Sequence, residues 1–387
     1  MMRYRFHFLG MPHTSTSPDY CHCAYTSKVV KALKMFSRRG HTCFDYSNAG
    51  AVVPHGVEHV DIFTEEERAS YFGPHEKNKL YDIVWDPSKP YWLEYNRRLV
   101  EALKPRVQKG DFLMTLSGNC QVGPVGDAFP GSYKGIAYGP MLVEWGIGYF
   151  GTQSVYRIFE SHGHREWVMG RADWKTADYS AAVVPNFFDM DDFPEYPPPT
   201  ERTKPIIDAG PYYLFIGRVI LDKGVDVALE VVRDLGGARL VIAGQGEWPD
   251  LPPNVVRFGH ANIEERASLM ANAIAVLNPT KFREPFGGTA VEAQLSGTPA
   301  ITTDSGGAFY ETTRPHWRCA SHREFVEAAR AAQHLTSSER RAIRARARGL
   351  YSLEAVAPLY ERYFGLLYSR WWGGYYEMRD LEGLELP

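Results

Sequence analysis

Tyr212 to Ala243 reads YYLFIGRVILDKGVDVALEVVRDLGGARLVIA, and the order of its parts decides the fold class. Tyr212–Ile216 is a short run of strand-forming residues, Gly224–Leu235 a helix closed by Gly236-Gly237, and Ala238–Ala243 a second strand. Strand, helix and strand in that order make a crossover unit, whose two strands run parallel. The pattern continues downstream. Val255–Phe258 reads as a strand, Ile263–Ala271 as a helix and Ala273–Leu277 as a strand. A helix over Gly288–Leu295 and a strand at Ala300–Thr302 complete the series. Such alternation predicts a parallel sheet with helices on both faces.

Upstream, Pro194-Glu195-Tyr196-Pro197-Pro198-Pro199-Thr200 interrupts the pattern and is followed by charged residues up to Pro205. Consecutive prolines can join neither a helix nor a central strand, and they favour a stiff extended connector. Before that linker a second α/β series is present. Tyr4–Leu9 reads as a strand that breaks at Gly10-Met11-Pro12, Ala24–Arg38 as a helix and His41–Tyr46 as a strand. Further strands are expected at His59–Phe63, Asp111–Leu116 and Val155–Glu160, with a helix over Tyr91–Leu103. Residues 117–148 are too rich in Gly and Pro to assign. The expected domains are therefore 1–195 and 206–350, with a helical tail over 351–387. In the last third, Ser321–Glu324 and Thr336–Glu339 both read as capping boxes that open helices. The second of these helices carries Arg340, Arg344 and Arg348 on one stripe. That stripe reads as a solvated face, with contact to an anionic membrane or acceptor as the other reading.

The length, 387 residues, suits two such domains. The net charge of -3 gives no electrostatic reason to expect a nucleic-acid partner. Tyr and Trp are frequent; such rings line carbohydrate sites but more often fill cores. Cys21, Cys23, Cys43, Cys120 and Cys319 are odd in number and lack zinc-ligand spacing, so they read as reduced thiols in a cytoplasmic protein. The first ten residues contain no signal-peptide core, and no apolar run approaches the ~18 residues of a membrane span. Peripheral membrane contact is left open.

The chemistry concentrates in two stretches. Phe282-Arg283-Glu284-Pro285-Phe286-Gly287-Gly288-Thr289-Ala290-Val291-Glu292 places two glutamates eight positions apart around a glycine pair that opens a helix. The start of that helix, at Gly287, Gly288 and Thr289, offers unpaired N–H groups and the positive dipole end to a phosphate. Glu284 and Glu292 can flank one ligand and accept hydrogen bonds from sugar hydroxyls. In the other stretch, Gly217-Arg218-Val219-Ile220-Leu221-Asp222-Lys223-Gly224, two cations follow a strand. Ligands bind at the carboxyl ends of strands in open α/β sheets, so Arg218 and Lys223 belong beside the same crevice. There they can neutralise a diphosphate and stabilise it as a leaving group, work that a divalent metal does elsewhere. No Asp-x-Asp metal pair is suitably placed, and no metal or cofactor is expected.

Gly217-Arg218, Lys223-Gly224, Glu284-Pro285-Phe286-Gly287 and Glu292, followed by Ala293-Gln294-Leu295-Ser296-Gly297-Thr298-Pro299, resemble the signature of the retaining GT-B glycosyltransferases of family GT4. Val183-Val184-Pro185-Asn186 is similar to the step that precedes the linker in that family. The resemblance implies an α/β GT-B architecture of two Rossmann-like domains facing across a cleft, with a C-terminal helix crossing back onto the first. It implies that Arg218 and Lys223 bind the diphosphate, that Glu292 binds the ribose and that Glu284 contacts the transferred sugar. Phe286, Gly287, Gly288 and Thr289 would then form the rest of the donor site. The family also places a catalytic histidine after a strand of the first domain, where His162 is the first match and His164 the second. Two departures stand out. Gly10-Met11-Pro12-His13 replaces the usual Gly-Gly loop, and Gly288-Thr289 replaces an aliphatic pair.

The implied reaction is transfer of a hexosyl group from a nucleotide-diphosphate sugar to an acceptor hydroxyl by front-face displacement, without metal. The acceptor stays open between a glycan, a lipid-linked sugar, a small molecule and a modified nucleobase. The competing readings are a nucleotide-sugar epimerase or sugar phosphorylase on the same fold, and a non-catalytic nucleotide- or glycan-binding protein.

Overall fold

The computed structural model describes residues 2–76, 79, 81–132, 139–171, 180–304 and 307–373, with side chains to 369. Of the expected tail, residues 374–387 lie outside the described residues. The chain divides into two compact units. The first comprises Met1–Glu160, Arg165–Val184 and the described part of Val356–Pro387; the second comprises Ser161–His164 and Pro185–Ala355.

The elements of the first unit are β1 (Arg5–Leu9), α1 (Ala24–Arg38), β2 (Thr42–Ser47), β3 (Glu58–Asp61), α2 (Glu65–Phe72) and α3 (Pro90–Leu103), followed by β4 (Phe112–Thr115), α4 (Val122–Ala128), β5 (Met141–Ile147), β6 (Tyr156–Phe159), α5 (His162–Arg171), whose first turn belongs to the second unit, and β7 (Ala181–Val183). The strands form one sheet in the order β3-β2-β1-β4-β5-β6-β7, every pair parallel. Leu9, Tyr46, Leu113 and Leu142 pack against Tyr95, Leu99 and Leu103 of α3. Strand β5 falls within the stretch that sequence could not assign. Its central residue Glu144 is fully buried, which a carboxylate tolerates only with hydrogen-bond partners. The amides of Gln153 and Ser154 donate to it at 2.8 and 2.7 Å, and the Tyr149 hydroxyl at 3.0 Å.

The second unit contains α6 (Lys204–Asp208), β8 (Tyr213–Ile216), α7 (Val225–Asp234), β9 (Leu240–Ala243), β10 (Val255–Gly259), α8 (Ile263–Asn272) and β11 (Val276–Asn278). It continues through α9 (Gly288–Leu295), β12 (Ala300–Thr303), α10 (Phe309–Thr312), β13 (Arg318–Cys319), α11 (His322–Ala332) and α12 (Ser337–Tyr351). Its sheet is also parallel, in the order β10-β9-β8-β11-β12-β13. Along β8, Tyr213 and Phe215 join the core under α7 and α11, whereas Leu214 joins the opposite core under α8 and α9. Burial on both faces explains why this strand reads as an unbroken apolar run. Thr336 and Glu339 form the expected capping box. Ser321 caps α11 through the Glu324 amide, but the Glu324 carboxylate reaches the amide of Ala320 at 2.7 Å, not that of Ser321.

The arginine stripe of α12 is neither simply solvated nor simply offered to a partner. Arg340 donates to the carbonyls of Ala273 and Ile274 at 3.1 and 3.0 Å. Arg344 donates to the carbonyls of Leu295 and Phe193. Two of its cations therefore satisfy the open carbonyls where α8 and α9 end. Arg348 is exposed.

The last helix, α13 (Leu353–Gly373), brings the chain back to the first unit. Phe364 lies 4.8 Å from Phe6 and 4.5 Å from Phe112, ring centre to ring centre. Glu361 accepts from Arg39 Nη2 at 2.8 Å and lies 3.1 Å from His41 Nε2. Burial acts to raise the Glu361 carboxyl, but the hydrogen bonds from Arg39 and His41 outweigh it and hold the pKa below the usual carboxylate value. Burial keeps His41 below the usual imidazole value despite Glu361. Both groups bind protons less readily folded than unfolded. Their stabilisation is therefore present at neutral pH and declines as pH falls, first through the ordinary histidine range and then through that of Glu361. Glu361→Gln is expected to weaken the seating of α13 by about 2 kcal/mol at pH 7. It should also flatten the acid limb of the stability curve, as measured by thermal unfolding between pH 7 and pH 4. No described helix is long and apolar enough to cross a membrane.

Candidate active site

In the second sheet the strand order reverses between β8 and β11. Loops leaving the carboxyl ends of such neighbouring strands diverge and open a crevice for ligands. The loop after β8 carries Arg218 and Lys223; the loop after β11 carries Glu284 and leads into α9.

Backbone contacts stitch the two loops together. The Asp222 carbonyl accepts from the amides of Lys281 and Phe282 at 2.8 and 3.2 Å, and from Thr280 Oγ1 at 3.1 Å. Gly224 adopts φ +75° at the start of α7, where a Cβ would stand 2.0 Å from the Pro279 carbonyl oxygen. This close approach brings Lys223 Nζ onto Glu284 Oε1 in an ion pair, with Nζ also 4.9 Å from the centre of the Phe282 ring. Both partners are largely buried. Arg218, by contrast, is exposed, and its guanidinium has no partner among the described residues.

Helix α9 begins at Gly287, which holds φ +79° as the N-cap; a Cβ there would meet the Phe309 ring at 2.6 Å. No side-chain cap hydrogen bond is made at this end among the described residues. The amides of the first turn are thus available to an anion, and the helix dipole favours one there. Thr289 is partly exposed beside them. Phe286 is 3% exposed and packs with Phe188, Val291, Leu295 and Tyr351, so it anchors the loop from beneath. Glu292 lies about one turn into α9 and is ion-paired with Arg266 of α8.

His162 opens α5 with an exposed side chain. Its amide donates to Glu311 Oε2 at 3.1 Å and that of Gly163 to Glu311 Oε1 at 3.0 Å, so one carboxylate caps the helix. Ser161 Oγ donates to the Pro285 carbonyl at 2.6 Å, which ties the histidine's turn to the loop that carries Glu284. His164 is buried, with its amide donating to Ser161 Oγ. Of the two histidines, His162 presents its ring to solvent.

The structure thus gathers Arg218, Lys223, Glu284 and the α9 N-terminus at one switch point, places Glu292 just beyond them and joins the His162 turn to the same loop. Residues 210–336 match the family Glycosyl transferases group 1. That segment is similar to the group 1 glycosyltransferases. It contains every residue of the two loops and α9.

Relatives agree with that match. An uncharacterised glycosyltransferase, MJ1607, of Methanocaldococcus jannaschii is 33% identical over 107 residues, covering 24% of this chain and 27% of that protein. The chain therefore matches only about a quarter of this curated relative's length. Solved structures extend the likeness to nearly the whole chain. AviGT4, a glycosyltransferase involved in avilamycin A biosynthesis, superposes with a TM-score of 0.64 at 19% identity, over 94% of this chain and 98% of the other. Anabaena Alr3699/HepE in complex with UDP-glucose gives 0.63 at 12% identity, over 94% and 99%. At such identities the likeness establishes the fold, which is the two-domain GT-B architecture.

Sequence reasoning missed Arg266 and Glu311. Neither belongs to a motif, and their partners lie 26 and 149 positions away.

Proposed function

We propose that the protein is a retaining glycosyltransferase of the GT4 type, which transfers a sugar from a nucleotide-diphosphate donor to an acceptor hydroxyl. One observation carries this reading. An exposed Arg218 and a Glu284-paired Lys223 stand with the N-terminus of α9 at the switch point of a segment that matches the group 1 glycosyltransferases. A UDP-glucose complex of a protein with the same fold favours a diphosphate sugar as the donor.

In this reading the donor diphosphate lies on the α9 amides and draws Lys223 partly away from Glu284. Arg218 and Lys223 then stabilise the charge that develops on the leaving diphosphate. Released from Lys223, Glu284 accepts hydrogen bonds from hydroxyls of the transferred sugar, and Glu292, steadied by Arg266, accepts from the ribose. The acceptor hydroxyl attacks on the face that the diphosphate leaves, and its proton passes to a departing phosphate oxygen. Orientation and charge supply the rate enhancement, so the paired carboxylates form no covalent intermediate. His162, whose turn is tied to the loop that carries Glu284, is the catalytic histidine of this reading.

A screen of UDP-, GDP-, ADP- and dTDP-sugars tests the reading. One nucleotide series should raise the melting temperature, and slow donor hydrolysis should persist in EDTA. With an acceptor supplied, proton NMR should show the product with the donor's anomeric configuration. Absence of stabilisation by every nucleotide would overturn the donor assignment, inversion would overturn the front-face mechanism, and loss of turnover in EDTA would overturn its metal independence.

A further inference from the structure

The first unit has a cavity of its own, of about 460 Å³, at the carboxyl edge of its sheet. That volume is within the ~300–1,000 Å³ usual for small-molecule sites. Its walls come from the chain segments that follow β1, β4 and β5, together with Trp85 from the loop before α3.

The lining is unusual in what it combines. Tyr25, Trp85, Tyr149 and Phe150 supply four aromatic rings. Tyr25 and Trp85 meet edge to face at 5.4 Å, while Tyr149 lies so close to Gly118 that a Cβ there would stand 2.7 Å from its ring. Phe150 is braced edge-on by Trp167 at 4.0 Å. The polar contribution is neutral, from Ser117, Asn119 and Gln153. Ser117 is 3% exposed, yet its Oγ has no hydrogen-bond partner among the described residues. An unsatisfied hydroxyl at such depth is costly unless a ligand completes it.

No described lining residue is charged. The neighbouring cations are already engaged. Lys28 Nζ is paired with Glu160 at 2.7 Å and donates to the Gly146 carbonyl at 3.0 Å. Arg171 stacks over Phe150 and Trp167, 5.0 and 5.8 Å from their ring centres. The buried Glu144 carboxylate is consumed by Tyr149 and by the loop amides that fix this wall.

Aromatic faces, neutral amides and an unsatisfied hydroxyl, with neither a cation for a phosphate nor a carboxylate for an amine among the described lining residues, match one ligand chemistry. A pyranose ring presents a C–H face that lies on an aromatic plane and a rim of hydroxyls that exchange hydrogen bonds with Ser and Asn or Gln side chains. We propose that this cavity binds an uncharged carbohydrate ring and that, given the transferase reading above, the acceptor carries such a ring instead of a phosphorylated or amino sugar.

The test measures saturation-transfer NMR with maltose, trehalose and methyl α-D-glucopyranoside, with glucose 6-phosphate in parallel. Wild type, Trp85→Ala and Ser117→Ala are compared, and each sample is also scored for thermal stabilisation by UDP. At least one neutral sugar should bind wild type, and Trp85→Ala should weaken it roughly tenfold. Ser117→Ala should weaken it as well, glucose 6-phosphate should bind no better than the neutral sugars, and the UDP shift should survive in both variants. If UDP still stabilises the protein but no neutral sugar binds, the cavity assignment fails alone. Binding unchanged in both variants, or preference for the phosphorylated sugar, would overturn it equally. If the sugars bind and no nucleotide does, the cavity stands and the transferase reading falls.

Discussion

Lys223→Met is expected to lower kcat/KM by about 10²–10³-fold, the scale on which enzymes lose a single preorganised group that stabilises developing charge. Two effects of the substitution reinforce each other. In the proposed reaction, the variant lacks one of the two cations assigned to the leaving diphosphate. It also strands Glu284, whose carboxylate is largely buried and ion-paired with Lys223. An unpartnered carboxylate beside a diphosphate repels it, so donor binding should fall together with turnover. Lys223→Arg keeps the charge but replaces a compact ammonium with a broader planar group, and should recover only part of the loss. Arg218→Ala isolates the charge effect, because Arg218 has no partner to strand among the described residues and its side chain is exposed. Steady-state kinetics and nucleotide affinity for the three variants separate the contributions. Wild-type turnover in Lys223→Met would remove this pair from the site.

The gathering of these groups was legible because each sits at a fixed offset from a strand that sequence could place. Strands β8 and β9 are buried on both faces and flanked by glycines, so their apolar runs are clean. The helix at Gly288–Leu295 has the same bounds in sequence and structure. In the first unit the signal weakens for a physical reason. Strand β5 reads Met-Leu-Val-Glu-Trp-Gly-Ile, with a charge at its centre, and only the loop amides of Gln153 and Ser154 make that charge tolerable. A local pattern does not contain that compensation. Nor does it reveal that Arg340 and Arg344 turn inward to the carbonyls ending two other helices. For the site, residue type and offset were enough to nominate Lys223 and Glu284 but not to pair them. The pairing arises because the Asp222 carbonyl anchors a loop 58 positions away.

Gly244→Ala is expected to cost the second unit about 4 kcal/mol or more, which places it among the most damaging single substitutions. Gly244 follows β9 with φ +134°, and a Cβ there would stand 1.7 Å from the carbonyl oxygen of Gly217. That oxygen belongs to backbone, not to the tip of a flexible side chain, so it cannot step aside without moving the loop after β8. The Gly217 amide is bonded to the Ala243 carbonyl at 3.0 Å and that of Val219 to the Gln245 carbonyl at 2.7 Å. Relief of the clash would therefore break these contacts and displace Arg218, which lies between the two bonded amides. Gly236→Ala supplies the control. It also replaces a glycine at positive φ, +76°, but nothing lies within 4 Å of the added carbon. Its cost should be confined to backbone strain, about 1 kcal/mol, with donor affinity unchanged. Thermal unfolding and nucleotide titration of the two variants distinguish the causes. Should both lose the same stability, strain alone would explain Gly244. Should Gly244→Ala alone lose stability and nucleotide affinity together, the close approach of the two loops is what holds Arg218 in place.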